Sequence, residues 1–122
     1  MVDIVRDRLV SATEVADLCG VPYRTLDSWV RRGWVTPEVA AEGPGKYRRF
    51  GFRGTLEACT VAKLRSAGMT PKAIGNLRTG SWWEKLMERP RPLVITSPSG
   101  EQVGEVDVVG IADRVSEFLE QP

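Results

Sequence analysis

Apolar residues recur at i, i+3 and i+4 in short blocks along this 122-residue chain. Residues that start or stop a helix bracket each block. Val15, Leu18 and Cys19 form the first apolar stripe. Ser11 or Thr13 can cap that helix, Glu14 sits three residues after Ser11 as a capping box requires, and Gly20 stops it. Leu26, Trp29 and Val30 form the second stripe, with Pro22 at its start and Gly33 at its end. Proline suits a first turn because its missing N–H would be unpaired there in any case. The pattern predicts two short helices joined by a tight glycine-containing turn, a helix-turn-helix.

Beyond it the period changes. Val35 and Val39–Ala41 can pair with Lys46–Phe50 across Gly43-Pro44-Gly45, which predicts a small β-hairpin. Leu56, Cys59, Val61, Ala62, Leu64 and Ala67 return to helical spacing, closed by Gly68. Thr70 and Pro71 open a short helix carrying Ile74 and Leu77, and Ser81 with Glu84 gives a second Ser-x-x-Glu start for SWWEKLME, ended by Pro90 and Pro92. Leu93–Thr96 and Gln102–Val109 flank the turn residues Pro98-Ser99-Gly100 as a second hairpin. Ile111, Val115, Phe118 and Leu119 then predict a last amphipathic helix.

Composition adds exclusions. The chain has no histidine, so the commonest metal ligand and acid–base group is missing and a Ser-His or Cys-His nucleophile cannot be assembled. No glycine-rich phosphate loop or dinucleotide fingerprint occurs, and no enzyme, cofactor or metal site is expected. The cysteines, Cys19 and Cys59, sit in apolar settings and read as small buried hydrophobes. Apolar runs are only a few residues long and the MVDIVRDRLV start is charged, so a cytoplasmic, nucleoid-associated location is expected. Net charge is +1, but unevenly spread: thirteen Lys and Arg face eight Asp and Glu through residue 78, and four face eight after it. A basic part for an anion and an acidic part for something else is the simplest reading.

Three segments carry a resemblance: SATEVADLCGVPYRTLDSWVRRGWVTP, KYRRF and LRSAGMTPKAI. In order and spacing they are similar to the DNA-binding domain of the MerR family of transcriptional regulators. The resemblance implies an α+β, mainly α fold: a MerR-type winged helix-turn-helix over residues 8–80, then a C-terminal hairpin and helix. Residues 81–122 would then be an acidic region for dimerisation or partner binding. It implies sequence-specific binding to double-stranded DNA by a small regulator acting as a repressor, usually as a homodimer on a pseudo-palindrome. An antitoxin or phage excisionase, whose acidic region grips a toxin or recombinase, is the alternative. Two departures stand out. Asp27 and Ser28 replace the Arg and aromatic usual in the recognition helix, and Pro90 and Pro92 interrupt the region where a long dimerisation helix would run.

The candidate contacts follow. Tyr23 and Arg24 lie at the end of the second helix that reaches base edges, where Arg24 can take guanine O6 and N7. Thr25, Asp27, Ser28 and Arg31 complete that set; Asp27 can accept from cytosine N4 or pair with Arg24 or Arg31. Thr13, at the first helix's start, can present N–H groups to a phosphate. In the wing strand, Lys46, Arg48 and Phe50 share one face while Tyr47 and Arg49 share the other. Phe50 is the core candidate and the other four are phosphate candidates. Trp29 and Trp34 are expected in the core. Trp82, Trp83, Ile111, Val115, Phe118 and Leu119 are expected at a partner or dimer interface.

Overall fold

The computed structural model describes residues 8–39 and 48–121. Short strand β1 (Val10–Ser11) leads directly into α1 (Ala12–Cys19). Ser11 is its N-cap and closes a full capping box with Glu14: the Ser11 hydroxyl accepts from the Glu14 N–H, and the Glu14 carboxylate accepts from the Ser11 N–H. Gly20 ends the helix at φ +72, a left-handed conformation that favours glycine. α2 (Tyr23–Arg31) follows at once, with Pro22 as its N-cap and Leu26 and Trp29 turned inward.

The wing base is a small sheet. β2 (Arg49–Phe50) pairs antiparallel with β1, Val10 opposite Phe50 and Ser11 opposite Arg49. On its other side Arg49 bridges Val39, as the sequence pattern proposes. Pairing with β1 is absent from the sequence reading because two residues cannot show strand periodicity. The expected turn Gly43-Pro44-Gly45 and the strand residues Lys46 and Tyr47 lie outside the described residues.

α3 (Phe52–Ser66) is the central helix, buried over most of its surface, and α4 (Pro71–Thr79) starts from a Thr70 cap with proline at its first turn. Gly54 lets α3 pass the chain leaving α2: a Cβ there would meet the Thr36 carbonyl oxygen at 2.5 Å. α5 (Ser81–Glu88) departs from expectation at its start, since Gly80 is the N-cap and Ser81 the first helical residue. Glu84 instead receives Arg53 through two hydrogen bonds of 2.6 and 2.7 Å.

β3 (Pro92–Thr96) and β4 (Gln102–Asp107) form the second hairpin. α6 (Val108–Glu120) begins two residues earlier than expected because the Asp107 carboxylate caps the Gly110 N–H at 2.9 Å. One hydrophobic cluster runs from Val10 and Val15 through Leu26, Phe50, Leu56, Val61 and Trp83 to Val108, Val115 and Leu119. Residues from both sides of residue 80 contribute to this cluster. Arg8 donates to the Leu119 carbonyl at 2.9 Å and ties the strand entering the first helix to the end of the last.

Candidate nucleic-acid interface

Sequence separation hides the network that sets this surface. Glu57 of α3 is fully buried, which would be costly for an unpartnered carboxylate. One oxygen accepts the Thr36 N–H at 3.0 Å; the other accepts the Trp83 indole N–H at 2.7 Å and lies 3.4 Å from Arg78 and 3.5 Å from Arg53. Arg78 also donates to the Trp34 carbonyl and the Thr36 hydroxyl. One carboxylate thus fixes the chain after α2 to the central helix and to α5. Arg53, in the first turn of α3, is committed here and to Glu84.

On α2, Tyr23 and Arg24 are exposed at the N-terminal end, and Thr25 and Ser28 are half-buried beside them. Asp27 accepts from Arg48 at the wing base and pairs with Arg31 one turn along α2 at 2.9 Å. Of the two partners proposed for Asp27, Arg31 is present and Arg24 is not. Those cations, the Arg48 hydrogen bond foremost, hold its carboxyl below the usual aspartate range. Arg48, just before β2, is half-buried, and this pairing turns it toward α2 rather than outward. Arg49 is exposed, and Thr13 is exposed at the start of α1. Lys46 and Tyr47 lie outside the described residues.

A groove of about 620 Å³ runs along α2, and Pro22, Arg24, Thr25, Ser28, Arg32 and Arg65 are among its lining residues. Arg32 lies over the Trp34 ring, 5.1 Å from its centroid. Neither Arg32 nor Arg65 stands out in the sequence. Arg65 comes from α3 and reaches the groove only through the tertiary fold; the Arg31-Arg32 doublet is the one local signal.

The expected interface residues divide. Trp83, Ile111, Val115 and Leu119 are buried in the chain's own core and present no surface to a partner. The cause is packing: α6 lies on α3, and the inward stripe that marks an amphipathic helix is the stripe it buries there. Phe118 is half-buried against the same core, while Trp82 stays 39% exposed. The adjacent tryptophans point apart, as a helical step of about 100 degrees requires.

Two short helices across a glycine turn, a strand-paired wing base behind them and a cationic outer face together define a winged helix-turn-helix. Residues 10–80 match the family model described as MerR HTH family regulatory protein. The match covers more than half of the chain, which belongs to that family. Over 71 residues the chain is 32% identical to uncharacterized HTH-type transcriptional regulators of Mycobacterium bovis and Mycobacterium tuberculosis, covering 56% of this chain. It spans about a third of their length, 32%. Among the described residues no helix is long and apolar enough to cross a membrane.

Proposed function

We propose that this protein binds double-stranded DNA sequence-specifically, with α2 in the major groove and the wing on the flanking phosphates. One observation carries the reading: the only carboxylate on α2, Asp27, is already matched by Arg31 and Arg48. Arg24, Arg31 and Arg32 therefore give the exposed side of α2 a net positive field toward a polyanion. Arg24 reads a guanine, and Tyr23, Thr25 and Ser28 line the same approach. Arg49 takes phosphate on the wing side, with Lys46 and Tyr47 assigned there from their place in the sequence. Thr13 offers the first turn of α1 to another phosphate. Arg48 acts indirectly, by holding Asp27 and the wing base together.

Bound over a promoter, such a protein excludes polymerase by occupancy, so the expected sign is repression and no catalytic step is involved. Sequencing of DNA selected by the wild-type protein and by Arg24→Ala tests the assignment. The variant is expected to keep the site but lose preference at one base position, a discrimination of roughly 1–3 kcal/mol. An unchanged profile would remove Arg24 from the reading set.

A second reading concerns residues 81–122 as a contact region. Exposed Trp82, Val94, Val103 and Val109 lie in the part of the chain that carries excess acid. A homodimer on a pseudo-palindrome would use this side, as would a toxin or recombinase partner in an antitoxin or excisionase. The solution mass, free and on DNA, separates the dimer from a monomer that needs a second protein.

A further inference from the structure

Cys19 and Cys59 are 40 residues apart and on different helices, yet their sulfurs meet at 2.8 Å. Cys19 is the last residue of α1, immediately before the Gly20 turn, and Cys59 is in the middle of α3. Both are free thiols. They line a recess of about 110 Å³ together with Gly20, Lys63, Ser66 and Arg114. Cys59 is 6% exposed and Cys19 half-buried, so the recess gives a small molecule a path to the pair. The reading of these residues as inert apolar filler does not account for two thiols in contact beside two cations.

We propose that Cys19 and Cys59 are an oxidation site, a dithiol that a small hydroperoxide converts to an intramolecular disulfide between the helix-turn-helix and the central helix. Cys59 is the attacking sulfur. Either thiol can donate in the contact. Lys63, one turn along α3 from Cys59, and Arg114 line the recess and favour a Cys59 thiolate hydrogen-bonded by Cys19, so the Cys59 pKa is lowered while the same contact and burial raise that of Cys19. The Cys59 thiolate attacks one oxygen of hydrogen peroxide, the O–O bond breaks, and water leaves after taking up a proton, which gives a Cys59 sulfenic acid. The Cys19 sulfur then attacks the Cys59 sulfur; the S–S bond forms, the S–O bond breaks, and a second water carries off the Cys19 proton. Two electrons pass from the thiols to the peroxide, and a dithiol reductant reverses the change.

A disulfide sets its sulfurs about 2.05 Å apart. Closure from 2.8 Å therefore asks for a shift of less than an ångström and leaves α2 in place. The oxidised protein is expected to keep its DNA affinity within about twofold and to melt roughly 8–15 °C higher, because the bond closes a loop of some 40 residues in the unfolded chain. The site is thus a clamp on the fold.

The test treats the reduced full-length chain with hydrogen peroxide under native conditions. Expected are loss of both titratable thiols, a mass lower by two hydrogens, a monomeric band on a non-reducing gel and reversal by dithiothreitol. Thiols that stay titratable, a mass that rises by whole oxygens, or disulfide-linked dimers would each overturn the proposal. Cys19→Ser should accumulate a Cys59 sulfenic acid that dimedone traps, while Cys59→Ser should not form one at Cys19. The reverse pattern would overturn the choice of Cys59 as attacking sulfur. Circular dichroism of both variants before treatment confirms that folded protein is being compared.

Discussion

Arg48, just before β2, and Arg49, its first residue, face opposite fates, which mutation separates. Arg49 is exposed, so Arg49→Ala should weaken binding about equally on all DNA sequences and reduce the salt slope by about one; titrations at several salt concentrations measure it. A preference that changes at one base position instead would mean that Arg49 reads sequence. Strand alternation placed Arg48 on the Phe50 face, but the cation waiting for Asp27 across 21 residues was not legible. Acid titration probes the same scale. Glu14 is held below the ordinary glutamate range by the Ser11 backbone N–H and hydroxyl, Glu84 by Arg53, and Asp27 by Arg48 and then Arg31. Carboxyls with lowered folded values stabilise the fold fully above their unfolded values, about 4. That stability is lost as pH falls through the lowered values. Melting temperature should therefore be flat from neutral pH to about 5 and drop below 4, and Glu84→Gln should flatten the drop.

At the scale of elements, helices with their own punctuation were readable and helices defined by neighbours were less so. Ser11, Gly20, Thr70 and Pro71 act where the sequence places them because caps work within four residues. Ser81 does not cap α5, since the chain is already helical there and Gly80 holds the extended position. The join at Asp107 was missed because Val108 and Val109 continue a strand-like run; only the capping carboxylate marks the change to helix. Glu57 was invisible as well: in the sequence it is one acidic residue in a helix, and its partners come from three separate segments. Glu57→Gln would set an amide donor against Thr36 N–H or Trp83 Nε1–H and is expected to cost about 2–4 kcal/mol. Urea unfolding measures that loss. A change below about 0.5 kcal/mol would show that the network holds no elements together.

For the molecule as a whole, the amphipathic stripe on α6 was legible while its destination was not. Apolar spacing says that a face is buried, not whether an internal helix or a partner buries it. Because α6 and β4 share the core of α3, the chain should unfold in one transition, with fluorescence and circular dichroism midpoints coinciding. Two separated midpoints would mean that residues 81–121 fold apart from the helix-turn-helix. The Arg48–Asp27 pair has a consequence at this scale too. It makes α2 and the wing base the two jaws of a fixed-gauge caliper, set by a salt link rather than by a flexible hinge. In the binding mode proposed above, an instrument of fixed gauge measures the angle between a base step and the phosphates beside it, so DNA twist as well as base sequence should affect binding.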